Sequence, residues 1–416
     1  MPVPFPARAP AGTGGAGIAG RARPTKPAEE WAHPGPAPLP PTGPTPALAR
    51  VAGAAGSKGA LEFVTPPFAA VAELHPQAVG VTYWFDAPTA GGPHDVTLRM
   101  TGRRLDVAGS RTPADDFVTT ASLPGVRSLS GRTSLTHRIF GKSAGRWHVT
   151  AEATAVRRGA DGSEVVRLPS AEGVGWSTFS GVAAARAPGG VVGAWPVMVA
   201  LGAVLGLVLQ SALAEVHGLP PGRVLALALL ACALGALGAK LYYRLTHMKE
   251  SGGHALAGLS IQGFVMVATA TFVVGGALQG MVAVHLLDAT VPALLLGQAV
   301  GRLGCLLGGC CAGVPTSSRW AVWSSDRRVG TRRLPVQLLE SGAAAVLAVL
   351  TGAIAWRTPT SSAGLLFVGG VAAYVLVRQV LFPLRGIPRA TRHGRQVTLA
   401  TALLTVIGSL AAAAFG

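Results

Sequence analysis

The sequence predicts a multispan α-helical membrane protein carrying an N-terminal soluble, all-β, sandwich-like domain. Three observations predict it. Half of the 416 residues are hydrophobic and only 13% are charged, too few charges for the surface of a soluble chain. Residues 193–214 and 396–415 contain no charge at all, and each is long enough to cross a bilayer as a helix. Residues 60–182 alternate apolar and polar side chains instead, the period of half-buried strands.

Residues 1–58 are rich in Pro, Gly and Ala, as in "RARPTKPAEEWAHPGPAPLPPTGPTP". Such a stretch cannot bury enough apolar surface to order itself and is predicted to be a disordered tail. It holds no apolar run of the kind a signal peptide needs.

The domain read over 59–182 is carried by "VTYWFD", "HDVTLRM", "TSLTHRIFG" and "RWHVTAEATAV". In the last of these Trp147, Val149, Ala151, Ala153 and Ala155 share one face, while Arg146, His148, Thr150, Glu152 and Thr154 share the other. Turn residues separate the runs, as in a β-sandwich. No paired acids or nucleophile arrangement stand out, so the domain reads as a packing or recognition module. A Gly/Ala/Pro linker over 183–192 leads to the membrane domain, 193–416. Pro196 is compatible with a first helical turn.

Between the two charge-free runs lie five more candidate spans, near 224–243, 255–276, 280–301, 337–356 and 363–382, giving about seven helices in all. Hydrocarbon leaves no alternative to a helix, because it cannot satisfy loose backbone groups. The formal net charge is +17. Many of the arginines sit between or beside the spans, so the charge points to anionic lipid and away from nucleic acid.

Charges at membrane depth are costly and usually mark function. Between Lys249 and Arg302 there is no other Lys or Arg. Arg302 sits in "GQAVGRLGCLLGG", Arg378 in "FVGGVAAYVLVRQVLF", and Arg385 seven residues later. On a helix Tyr374, Arg378 and Arg385 fall near about 0°, 40° and 20°, so they share one face, with Pro383 a candidate bend. A phenol and two guanidiniums on one stripe suit a phosphate, which arginine's planar fork matches.

Gly301, Gly304, Gly308, Gly309 and Gly313 allow backbone or ligand to approach closely. "VPTSSRWAVWSSDRRVGTRRLPVQLLES" reads as a long polar loop, with Trp320 and Trp323 as interface anchors and five arginines at 319, 327, 328, 332 and 333. Of the four cysteines, Cys232 lies mid-span. Cys305, Cys310 and Cys311 lack the usual zinc spacing and read as packing residues, with a disulfide as the alternative on an oxidising side. No metal and no cofactor is expected.

"GRLGCLLGGCCAG", "RRLPVQLLE" and "YVLVRQVLFPLR", in this order on these spans, resemble the bacterial prolipoprotein diacylglyceryl transferases. That family reads G-R-x-G-N-F-x-N-G-E-x-x-G, then R-H-P-S-Q-L-Y-E, then Y-x-x-x-R with a second arginine seven residues on. The resemblance covers roughly 194–416. Gly301, Arg302, Gly304 and Gly313 match the first motif, Arg333, Pro335, Gln337, Leu338 and Glu340 the second, and Tyr374, Arg378 and Arg385 the third. "LGALGAKLYY" is similar to the family's second-helix segment, with Lys240 displaced from its arginine.

The resemblance implies a multi-pass protein of the bacterial cell membrane. Its reaction would pass diacylglyceryl from phosphatidylglycerol to the lipobox cysteine of a preprolipoprotein, leaving glycerol 1-phosphate. The implied catalytic residues are Arg302, Arg378, Tyr374 and Gln262. Gly301, Gly304, Gly313, Arg333, Gln337 and Arg385 would bind substrate, and the signal peptide of the preprolipoprotein would be a partner.

Departures accompany it. The family's helix-three H-G-G motif becomes "LSIQGF", which puts Gln262 at the histidine and Phe264 at the second glycine; His254 is the candidate substitute. The asparagine pair and glutamate become Cys305, Gly308 and Cys310. Pro196 stands for the first-helix tyrosine and Phe382 for a glutamate. The chain is therefore either a divergent enzyme or a non-catalytic paralogue that keeps lipid binding. The basic loops would be cytoplasmic by the positive-inside rule, whereas the resemblance places the N-terminus and the site outside. The second orientation is expected here, since several of those arginines would be ligands.

Overall fold

The computed structural model describes residues 60–66, 68–88, 92–128, 130–159, 162–246, 260–358, 364–386 and 393–415, all within one compact unit, Thr42–Gly416. The tail read over 1–58 lies outside the described residues, as does His254.

The β-region comprises β1 (Ala60–Phe63), a short α1 (Ala69–Ala72), β2 (Gln77–Asp86), β3 (His94–Arg104), β4 (Asp116–Val126), β5 (Arg132–Phe140), β6 (Arg146–Gly159), β7 (Gly162–Trp176) and β8 (Thr178–Phe179). Helix α2 (Ser180–Ala185) follows. The membrane region holds α3 (Ala194–Val216), α4 (Pro221–Thr246), α5 (Ile261–Leu278) and α6 (Ala283–Leu307). Then come strands β9 (Val322–Ser325) and β10 (Val329–Arg333), α7 (Val336–Arg357), α8 (Leu365–Leu381) with a 3-10 turn (Phe382–Arg385), and α9 (Gly394–Phe415).

Two antiparallel sheets face each other. One runs β4-β3-β6-β7, the other β1-β2-β5-β10-β9 with β8 on β2. The alternation seen in β6 is the cause. Trp147, Val149, Ala151, Ala153 and Ala155 are buried against Val79, Val81, Tyr83 and Phe85 of the other sheet, in one apolar core. Strand β2 is buried on its second face as well. There Val64 and Ala183 fill the space beside Gly80, so the segment read as a linker begins with a helix docked on the sheet.

The stretch read as a polar loop is a β-hairpin. Its strand β10 pairs with β5, Val329 opposite Leu135 and Gly330 opposite Ser134. Trp323, expected at the membrane interface, stacks on Trp84 with ring centroids 5.6 Å apart and donates from Nε1 to the Arg132 carbonyl at 3.0 Å. Arg328 reaches the Ser122 carbonyl at 2.7 Å. Residues between α6 and α7 thus complete a sheet begun nearly two hundred positions earlier, which the local polarity of the stretch concealed.

Six helices are long and apolar enough to cross a membrane: Ala194–Val216, Pro221–Thr246, Ala283–Leu307, Val336–Arg357, Leu365–Arg385 and Gly394–Phe415. A seventh, α5, carries a shorter apolar stretch, Gly263–Leu278. Leu237, Val208, Val349 and Leu410 are exposed on the outside of the bundle, where lipid and not water is the natural solvent. Inside, Asp288 of α6 is fully buried and accepts from the backbone N–H groups of Gly364 at 2.9 Å and Phe367 at 2.8 Å. A carboxylate there satisfies orphan donors at the start of α8 and meets the positive end of its dipole.

Candidate functional site

Where α6, α7 and α8 meet, four polar side chains are gathered away from solvent. Glu340 of α7 stands between two guanidiniums. Its Oε2 lies 2.7 Å from Arg302 Nε and its Oε1 lies 3.5 Å from Arg385 Nε. Arg302 and Arg385 are each 6% exposed and Glu340 1%, so the group is shielded from bulk solvent and Coulomb forces within it are weakly screened. The Tyr374 phenol lies beside the Arg302 guanidinium. These are charge contacts without hydrogen-bond alignment. Arg302 Nε, both Glu340 oxygens, Tyr374 Oη and Arg385 Nε have no aligned hydrogen-bond partner. Two cations against one anion leave the cluster net positive.

The local sequence explains the placement. In α7 the buried residues Gln337, Glu340, Ser341, Ala344, Ala348, Thr351 and Ala355 follow helical spacing, so one stripe faces α6. Ser341 Oγ donates to the Ala299 carbonyl at 2.7 Å and pins the two helices one turn from Arg302. Gln337 Nε2 donates to the Cys310 carbonyl at 3.0 Å and holds the chain that leaves α6. Arg385 is placed by its own turn, because the Leu384 carbonyl accepts from Val314 N–H at 2.8 Å.

Gly313 lets these segments converge. A Cβ there would come 2.8 Å from Val336 Cγ2 and 3.1 Å from the Leu384 carbonyl oxygen. Gly304 has a different use: a Cβ would come 2.8 Å from Met198 Cβ, so its closeness is to α3 and not to a ligand. Gly301 meets only Val199, at 3.9 Å, and no close approach requires it.

Of the predicted site residues, Arg302, Tyr374 and Arg385 are together, and Gln337 and Gly313 frame them. Arg378 is half-buried one turn beyond Tyr374 and has no ion pair among the described residues. Arg302 is joined to Arg385 through Glu340. Arg333 is occupied by the protein. Its Nη1 donates to the Gly313 carbonyl at 3.0 Å, and its Nη2 donates to Asp326 Oδ2 at 2.6 Å and the Val329 carbonyl at 3.2 Å. It therefore acts on the site through Gly313. Burial pushes its guanidinium below the usual value, with Asp326 opposing. The Gln262 side chain lies outside the described residues.

Glu340 was readable as a motif match, yet its place between the arginines was not. The available signal was a lone acid inside an apolar span. A mostly apolar cavity of about 330 Å³ lies between α3, α4, α5 and α6, bounded by Gly206, Gln210, Phe264, Phe272 and Gln298. Gln298 and Arg302 are one turn apart on α6, so cavity and cluster share a helix face.

Residues 184–415 match the family model described as "Prolipoprotein diacylglyceryl transferase". This chain belongs to that family. Among curated relatives, the phosphatidylglycerol–prolipoprotein diacylglyceryl transferase of Leifsonia xyli subsp. xyli is 33% identical over 145 residues, 30% of this chain and 41% of the relative. That of Finegoldia magna is 29% identical over 133 residues, 30% of this chain and 54% of the relative. That of Clostridium tetani is 26% identical over 224 residues, 50% of this chain and 87% of the relative. The chain thus spans about half the length or less of the first two, and most of the third. The transferase family match covers α3 to α9 and includes the hairpin that joins the sheet.

Proposed function

We propose that this transferase-family member moves the diacylglyceryl group of phosphatidylglycerol onto the lipobox cysteine of a preprolipoprotein, within the bilayer and from its extracytoplasmic leaflet. The observation that carries the reading is the buried, net-positive cluster of Arg302, Glu340 and Arg385 beside Tyr374. In the proposed reaction a thiolate sulfur attacks the glyceryl carbon. The S–C bond forms as the C–O bond to phosphate breaks, and the electron pair leaves on the phosphate oxygen of glycerol 1-phosphate. The thiol proton passes to water. Guanidiniums held in a shielded site stabilise charge where it grows, and they need no reorganisation to do so. Arg378, one turn from Tyr374 and without an ion pair among the described residues, is suited to the headgroup. The apolar cavity suits an acyl chain.

The test uses the full chain in phosphatidylglycerol vesicles with a lipobox peptide, read by mass spectrometry for the diacylglyceryl adduct. Wild type is expected to form it, and Arg302→Ala to lower the rate by about 100-fold or more. A wild-type protein that forms no adduct, and fails to complement a strain lacking the standard enzyme, overturns the reading.

One observation favours a second reading, a non-catalytic lipid-binding paralogue: among the described residues no hydrogen bond or ion pair joins a histidine to Arg302, Glu340, Tyr374 or Arg385. Photocrosslinking to phosphatidylglycerol without adduct would support it.

A further inference from the structure

The transfer needs a thiolate, and a lipobox cysteine near neutral pH is mostly thiol. The resemblance puts Gln262 at the family's helix-three histidine, and an amide is no general base. Beside the arginine cluster, however, the chain brings three thiols together. The sulfurs of Cys305, Cys310 and Cys311 all lie within 4.8 Å of one another, and all three cysteines are free.

The loop that leaves α6 produces this convergence. Cys305 sits in the last turn of α6. Gly309 (φ 67°) and Cys311 (φ 54°) both take the left-handed conformation, which turns the backbone back on itself and which a residue with a Cβ rarely adopts. Cys310 N–H donates to the Cys305 carbonyl at 2.9 Å, and Gln337 fixes the Cys310 carbonyl from α7. The three residues are graded in exposure: Cys305 is buried, Cys310 intermediate and Cys311 exposed. Cys305 and Cys311 both interact electrostatically with Arg302, and Cys311 also with Arg385.

We propose that Cys305, Cys310 and Cys311 bind one zinc ion whose fourth position receives the acceptor cysteine of the substrate. Three thiolates at about 2.3 Å from zinc stand about 3.8 Å apart, a small rotation inward from the present spacing. Three protein ligands and one open position are the pattern of a reactive zinc site, whereas a structural site is closed by four. Coordination removes the proton of the incoming thiol at neutral pH and leaves a metal-bound sulfur nucleophile next to the arginines that hold the phosphate. In the balanced step the zinc–sulfur contact is exchanged for the new sulfur–carbon bond, the C–O bond breaks towards phosphate, and the thiol proton has already gone to water. The metal takes the part that a histidine base would otherwise have. The identity of the fourth ligand rests on the transferase reading; the three-cysteine site does not.

The experiment takes the full chain, purified under reductant in detergent, without added chelator. Elemental analysis is expected to find one zinc per chain. Cys305→Ser, Cys310→Ser and Cys311→Ser are each expected to weaken zinc retention by more than about tenfold, with Cys232→Ser unchanged. Replacing zinc by cobalt(II) in the wild type gives a readout independent of variant folding, namely thiolate-to-cobalt charge transfer and four-coordinate d–d bands. Adding a lipobox peptide is expected to raise the charge-transfer absorbance, and its Cys→Ser counterpart to leave the spectrum alone.

Transfer by a protein that binds neither metal, or that carries a disulfide among the three cysteines, overturns this inference and leaves the transferase reading standing. Copper(I) bound in preference to zinc, with no response to peptide, also overturns it. Zinc with peptide ligation but no adduct upholds the site and overturns the transferase reading.

Discussion

Glu340 is the one carboxylate, among the described residues, that touches Arg302 and Arg385. It does two opposing things there. It cancels the repulsion of two buried cations, and it competes with any phosphate for them. Removing one member of a buried ionic group leaves uncompensated charge, which typically costs about 3–5 kcal/mol. Glu340→Gln is therefore expected to lower the unfolding temperature in detergent and to abolish transfer. Glu340→Asp should keep the fold and lose only part of the rate. A stable Glu340→Gln protein with faster transfer would show that the carboxylate only competes.

Elements depend on contacts of the same kind at their ends. Helix α8 begins at Gly364 with no cap from its own side chains, and Asp288 supplies the acceptors from α6, more than seventy residues earlier. Asp288→Ala is expected to destabilise the start of α8 by about 1–2 kcal/mol and to speed hydrogen exchange at the Gly364 and Phe367 amides. Tyr374 lies on the same helix, so the transfer rate should fall with it. In β5, burial holds the His137 imidazole below its ordinary value, with Arg328 and Arg138 adding to the effect; the ring also contacts Thr119 Oγ1 at 2.8 Å. A histidine whose folded value is depressed favours the folded state only while it is neutral. The β-region should lose stability as the pH falls through about 6.5, where the unfolded chain takes up the proton first. His137→Gln should flatten that dependence in pH-resolved thermal melts.

At the scale of the whole molecule, the β-region and the membrane region share a sheet. Strand β10 has its register from β5, and Trp323 is held by Trp84 and the Arg132 carbonyl. The same hairpin carries Arg333, which reaches Gly313 under the cluster. A protein made from residue 187 onward would leave β10 as an unpaired edge and Trp323 uncovered. It is expected to aggregate or melt several degrees lower on size-exclusion and thermal analysis in detergent. An equally stable truncated protein would show that the hairpin stands without its partner strands. The β-region thus has a concrete use, as the wall against which the α6–α7 connection is set.

Much of this was legible in the chain itself, and the reason is locality. Hydropathy over some twenty residues marks a span, and a period of two marks β3 and β6, because each property is decided by neighbours in sequence. The stripe of Tyr374, Arg378 and Arg385 was an expectation from helical geometry, and a 3-10 turn at Phe382–Arg385 carries the last of them out of the helix; the motifs around Arg302 and Glu340 pointed to the family. What the chain could not declare were the meetings of distant segments. Among these are Glu340 between Arg302 and Arg385, Gly330 beside Ser134, Asp288 at the head of α8, and three sulfurs around one point. Periodicity says which face of an element is apolar; it does not say which other element will cover it. Only the packed tertiary structure decides that, because the burial of charge, the closing of a sheet edge and the turning of a loop are settled together, by contacts that no local stretch contains.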